Sequence, residues 1–345
     1  MKKTVANSLS LIFFVLFFIP YVILPQDNTG ENKKLAQTGF QFLSVGTNAR
    51  ASAIAEAYTT YEGSSASLFH NPAGLARMTT MFDFVVNQMN WIADIKYYSA
   101  SAAFNWQGGK YGVIGFTFLY VDYGKFEWTI VDPTSPKGYQ DVDAGWAMPN
   151  AFSIGLGYAK ELSDKFSVGG QIKYVRQKLG TSYVPVYTGN KLTGQEEKDY
   201  ALGVVAFDFG TLYKTGFKSL AFGMSIRNFA EEVKYEKESF QLPLTFRIGI
   251  GMNVMDFFPQ WSESNALNIT IDAVHPRSFP EYVAFGGEYV FKNILYLRAG
   301  YVTNQDDYSY SFGAGVRSFG FAFDYSYTPF STFQDVNRFT IKFAF

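Results

Sequence analysis

The 345 residues include no cysteine and carry a net charge of −1. That excludes disulfides, thiolate metal sites and a lipidated cysteine anchor, and gives no reason to expect nucleic acid as a partner. Hydrophobic residues make up 48% and aromatic residues 19%, yet the chain lacks the several runs of roughly 20 apolar residues that a helical membrane protein needs.

Lys2 and Lys3 precede an apolar stretch from Leu9 to Leu24, interrupted by Ser10 and Pro20. This is the pattern of a secretory signal peptide, assigned to residues 1–26 with the cleavage point left open between Leu24 and about Asn32. The alternative is an uncleaved inner-membrane anchor. Residues 27–78 form an amino-terminal segment of different character. Gly46 to Ala57 is rich in alanine and favours helix, and Asn71-Pro72-Ala73-Gly74 is a turn or helix-start signal. A small-residue helix ahead of the first strand suits a plug inside a barrel. Arg50, lying within it, needs a buried acidic partner such as Glu288 or Asp272; holding a gate closed is its functional alternative.

Residues 79–345 contain about fourteen segments of roughly ten residues with period-two alternation, the length a tilted strand needs to cross a bilayer. They lie near 82–91, 95–107, 110–121, 149–160, 165–178, 198–213, 217–228, 243–255, 264–275, 281–291, 293–303, 309–318, 319–327 and 336–345. Short links alternate with long ones, as periplasmic turns alternate with outer loops in an exported barrel. Lys173, Arg247, Asp272, Glu288, Arg298, Asp324 and Lys342 fall on the inward parity, either as a hydrogen-bonded lumen network or as a substrate path. The long links 122–148 and 179–197 read as outer loops. Tyr123, Phe126, Trp128 and Trp146 in the first, with Tyr183, Val184 and Tyr187 in the second, suit capture of a hydrophobic ligand or docking of a protein. The chain ends on an alternating strand in which Phe339, Ile341, Phe343 and Phe345 share one face. Its terminal Phe345 resembles the signal read by the barrel-assembly machinery.

The expected fold is all-β: a transmembrane antiparallel β-barrel of about 14 strands with an amino-terminal helical plug, in the outer membrane of a Gram-negative-type cell. A soluble sandwich or propeller is the alternative. No catalytic constellation, phosphate loop, dinucleotide fingerprint or calcium loop is present. The two histidines, His70 and His275, are isolated in sequence. The expectation is a protein that is not an enzyme and that uses no cofactor or metal.

One stretch resembles a known family. Phe42-Leu43, Gly46, Ala49-Arg50-Ala51, Ala66-Ser67-Leu68 and Asn71-Pro72-Ala73-Gly74 are similar to the amino-terminal region of the PorV/PorQ family, within the larger FadL-like group. Glu62-Gly63-Ser64-Ser65 departs from the paired aspartates that the family often carries. The resemblance implies a barrel with an amino-terminal hatch and two functional expectations. The first is support for export or surface handling of secreted proteins, as in type IX secretion. The alternative is passive uptake of hydrophobic compounds such as long-chain fatty acids. The expected partners are outer-membrane lipid, the barrel-assembly machinery, and either secreted proteins or a hydrophobic small molecule.

Overall fold

A computed structural model describes residues 38–131, 136, 139–188, 191–262 and 265–345. The expected signal peptide and the start of the amino-terminal segment lie outside the described residues. Eighteen strands follow in chain order: β1 (Phe82–Asn90), β2 (Lys96–Asn105), β3 (Val113–Asp122), β4 (Phe126–Val131), β5 (Tyr139–Ala147), β6 (Asn150–Ser163), β7 (Phe166–Thr188), β8 (Lys191–Lys214), β9 (Ala221–Ala230), β10 (Val233–Lys234), β11 (Ser239–Phe240), β12 (Thr245–Asn253), β13 (Asn265–Pro276), β14 (Tyr282–Phe291), β15 (Leu295–Val302), β16 (Tyr310–Ser318), β17 (Phe321–Thr328) and β18 (Val336–Ala344). Fourteen of them form one closed antiparallel barrel, β1 to β3, β6 to β9 and β12 to β18, sealed by pairing of β1 with β18. Closure leaves no unpaired edge, which is what a sheet surrounded by hydrocarbon requires.

Alternation sorts the two faces. In β1, Phe82, Phe84 and Val86 are exposed, while Asp83, Val85, Asn87 and Met89 are buried. Ile114, Phe116 and Phe118 of β3 and Phe339, Ile341 and Phe343 of β18 extend the same outward apolar belt. A contiguous belt of this kind on a closed barrel is a lipid-facing surface. No described helix is long and apolar enough to cross a membrane; strands do the crossing.

The connections differ at the two ends. One end has tight turns such as Lys292-Asn293 and Phe319-Gly320, whose residues take positive φ, the conformation that two-residue hairpin turns require. The other end carries the long excursions and is the outer one. Here the structure corrects two expected loops. The stretch 122–148 contains the β4–β5 hairpin, and 179–197 is a continuation of the β7–β8 pairing out to Thr188 and Lys191. A register shift at Leu179 separates that extension from the wall. Strands of 23 and 24 residues exceed the roughly 9–11 needed to span the bilayer, so the surplus projects beyond it as a ribbon. The side chains of Trp128, Trp146, Tyr183, Val184 and Tyr187 lie outside the described set.

The amino-terminal segment packs within the lumen. It starts at the outer mouth, where Thr38 bridges to Gln241 and hydrogen-bonds Ser278. It ends at the opposite rim, where Asn105 of β2 donates to the Met78 carbonyl. The expected Ala-rich helix is reduced to one turn, Ala49–Ser52, capped by the Asn48 side chain on the Ala51 amide. Ala55 and Glu56 then adopt left-handed backbone, with φ of 53° and 62°. Helix propensity is overridden there because the wall offers better partners: the Ala55 amide donates to Ser311 Oγ, and the Thr59 amide to Asp272 Oδ2.

Candidate functional site

The segment 38–78 meets inward-facing residues all round the barrel. Short polar side chains hold it on one side: Thr47 pairs with Ser99, Asn48 with Asn87, and Ser64 and Ser65 with Asp83. Glycines admit its backbone on the other, with Pro72 against Gly169, Thr59 against Gly223 and Ala55 against Gly300. The Asn71-Pro72-Ala73-Gly74 signal forms a 3-10 turn with proline at its start, capped by Asn71 Oδ1 on the Ala73 amide. Asn71 Nδ2 also donates to the carbonyls of Thr59 and Thr211, tying two parts of the segment to the wall.

Arg50 lies on the helical turn and points at β14. Its Nε donates to Glu288 Oε2 at 2.8 Å and its Nη2 to Oε1 at 2.7 Å, a bidentate pair of the strong, directional kind. Glu288 also accepts from Arg298 Nε at 2.6 Å, and Arg298 Nη1 donates to Asp324 at 2.7 Å. Tyr58 and Tyr61 stack with centroids 4.4 Å apart, and the Arg50 guanidinium sits 4.7 Å from the Tyr61 ring. Of the other inward charges, Lys173 pairs with Asp208 at 2.7 Å, Lys342 with Asp83 at 2.7 Å, and Asp272 accepts from Thr59 rather than from Arg50. Arg247 Nη1 donates to the Glu56 carbonyl. Lys173, Arg247, Asp272, Glu288 and Arg298 are all buried.

Besides a small one of about 30 Å³ beside Thr47 and His70, two larger cavities flank the segment. The outer one, about 190 Å³, is reached from the mouth. Trp91, Phe279, Tyr282, Tyr308 and Phe330 form its walls, and Arg227, Arg247, Arg338 and Glu56 line its deeper part. Beside it Phe40, Phe42 and Leu43 join Met89, Tyr97 and Val336 in an apolar cluster. The inner cavity, about 370 Å³, opens near Lys214 and Lys218 at the opposite end, and Arg50, Tyr61 and Glu62 line it. Ser52, Ala55 and Glu56 border the outer cavity and Arg50, Thr60 and Tyr61 the inner one, so residues 50–61 stand between them.

Charge is concentrated at the floor of the outer cavity. Burial alone would raise the Glu56 carboxyl, but His70, Arg247, a hydrogen bond from Ser52, and Arg338 hold it below the usual carboxylate range. His70 Nδ1 lies 3.3 Å from Glu56 Oε2. Its imidazole is pushed down to about 3 by burial, with Glu56 opposing and Arg227 and Arg247 adding to the shift. His275 lies apart, paired with Glu281 on the exposed outer rim. Phe345 closes the barrel at the inner end, exchanging backbone hydrogen bonds with Phe82.

Sequence reasoning passed over Arg227, Arg338 and Glu56. Arg338 shares the inward parity of Thr340 and Lys342 and was open to that argument. Arg227 was signalled by a fault in the pattern: the polar pair Arg227-Asn228 interrupts alternation between Ile226 and Phe229. The strand has a bulge there, with Phe207 opposite Phe229 but Phe209 opposite Ile226. Asn228 takes φ 62°, and the bulge turns both polar residues inward, a common use of such irregularities.

No protein-family model and no curated protein matches the chain in sequence. Solved structures of the same fold exist. The toluene transporter TbuX of Ralstonia pickettii superposes with a TM-score of 0.59 at 14% identity, over 87% of this chain and 98% of its own. The monoaromatic hydrocarbon channel CymD gives 0.59 at 12% identity, with 87% and 98% covered. A Pseudomonas aeruginosa FadL homologue gives 0.53 at 10%, with 87% and 99% covered. In fold the chain is therefore similar to FadL-family barrels, and with its lipid-facing belt and fourteen closed strands it is an outer-membrane β-barrel.

Proposed function

We propose that this protein is a passive, non-enzymatic outer-membrane channel for hydrophobic compounds, with the amino-terminal segment as its plug. The observation that carries the reading is the aromatic-walled cavity of about 190 Å³ at the outer mouth, set against a cavity of about 370 Å³ on the inner side, with residues 50–61 bordering both. An uptake route needs an apolar receiving site outside, a discharge side within, and a barrier that can shift between them. Three fold neighbours whose names describe a toluene transporter, a monoaromatic hydrocarbon channel and a FadL homologue support the same reading.

Export of secreted proteins is the first expectation from the sequence, and the aromatic-walled mouth favours uptake over it. The PorV/PorQ-like motif residues Asn71, Pro72, Ala73 and Gly74 are buried against the barrel wall. Their packing role accounts for them without any client, so the motif does not argue for secretion over transport. The test is a clean deletion, scored both for initial uptake of labelled oleate and toluene and for the secreted and surface proteome. Slowed uptake of toluene, the probe that fits the outer cavity, with an unchanged secretome is the expected outcome. Normal uptake with exported proteins held in the periplasm would overturn the reading.

A further inference from the structure

The outer cavity carries more positive charge than a site for a neutral hydrocarbon requires. Three guanidinium groups, from Arg227, Arg247 and Arg338, line it together with a single carboxylate at the floor, Glu56; Asp307, the other acid lining it, belongs to the 303–309 connection at the rim. Arg338 is committed, donating to the Gly46 carbonyl and to Thr328 Oγ1. Arg247 gives one nitrogen to the Glu56 carbonyl, while its Nε is buried with no hydrogen-bond partner among the described residues. The Nε of Arg227 is buried in the same state. Buried guanidinium donors left unpaired carry a desolvation cost that an anion would remove.

The walls and the volume narrow the anion. Trp91 meets Phe330 edge-on at 5.3 Å, and Tyr308 packs 5.0 Å from the same ring, a lining suited to edge-to-face contact with another ring. Roughly 150 Å³ accommodates benzene, so about 190 Å³ leaves room for one ring and a carboxylate. It falls short of the roughly 300 Å³ at which sites for larger ligands begin, and a long acyl chain does not fit within it.

We propose that the outer cavity is a binding site for a small aromatic carboxylate, whose carboxylate is held by Arg227 and Arg247 and whose ring sits among Trp91, Tyr308 and Phe330. Glu56 supplies the opposing charge: its carboxylate borders the cavity, accepting from Ser52 Oγ and lying 3.3 Å from His70 Nδ1, so it repels an anion bound beside it. This assignment rests on the channel reading above and adds a charge preference to it.

The test is calorimetric titration of the full-length protein in detergent with benzoate and with benzyl alcohol, its neutral analogue. Benzoate is expected to bind at least about tenfold more tightly, the scale of one charge-assisted hydrogen bond. The benzoate-to-alcohol affinity ratio should collapse in Arg227→Gln and rise in Glu56→Gln. Opposite responses from two substitutions in one cavity separate recognition from general damage, and heat-modifiable migration reports that each barrel is folded. Equal affinity for the two probes, no benzoate binding, or a ratio unmoved by Arg227→Gln would overturn the assignment. If benzoate fails while cells still take up toluene, this inference falls and the channel reading stands; if uptake fails as well, both fall.

Discussion

Arg50 holds a charge inside the barrel because Glu288 answers it with both oxygens, and Glu288 is answered in turn by Arg298. Removing the shared acid leaves the Arg50 guanidinium without its carboxylate, while Arg298 keeps Asp324; breaking a buried pair on one side costs about 3–5 kcal/mol. Glu288→Gln is therefore expected to lower the unfolding midpoint in guanidinium chloride. Arg50→Met should cost less in the Glu288→Gln background than alone, since the partner is already gone. His70 acts in the opposite sense. Its imidazole is held neutral, pushed down to about 3 chiefly by burial from an ordinary value of 6.5. The unfolded chain therefore takes up a proton that the folded one refuses, and stability is lost as pH falls from about 6.5 toward 3. The midpoint should decline with acidification over that window, and the decline should be shallower in His70→Gln. An equal slope in the variant would show that His70 is not the group responsible.

At the scale of elements, the wall strands were legible because each crosses the bilayer with lipid on one side and polar lumen on the other, which writes period two into the residues. Every barrel strand falls on a segment read from alternation. The β7–β8 extension was not legible as strand: Gly180, Pro185 and Gly194 within it read as loop, and only the pairing of Ser182 with Lys198 and of Val184 with Glu196 reveals a ribbon. The alanine-rich stretch failed for a different reason. Propensity favours helix there, but hydrogen bonds to Ser311 and Asp272 on distant strands set the path after Ser52, and contacts so far apart in sequence leave no local trace. Glycines on the inner wall are where this path is admitted. A side chain at Gly300 would run into the Ala55 backbone, so Gly300→Val is expected to unseat residues 50–61 while the barrel still closes. Limited proteolysis would then cut within 38–78 in the variant and leave the parent intact; equal resistance would mean that the segment tolerates the intrusion.

For the molecule as a whole, composition and alternation pointed to an outer-membrane barrel, and the closed fourteen-strand sheet is that fold. The candidate site was less legible. Its walls come from the 91–95, 276–282, 303–309 and 328–335 regions, which only the closed topology brings to one mouth, and its floor depends on a bulge that a strict period-two reading passes over. The inward parity of Lys173, Glu288 and Arg298 could be read along single strands, whereas the meeting of Arg227, Arg247 and Arg338 could not. The central claim, that this mouth receives hydrophobic compounds and the barrel passes them inward, is tested most directly by expressing the protein in a Gram-negative host that lacks its own hydrophobic-compound channels. The quantity to measure is the initial rate of uptake of labelled toluene and oleate into intact cells. The account predicts rates well above an empty-vector control for at least one of them. Rates equal to the control, with the folded barrel present in the outer membrane, would contradict it.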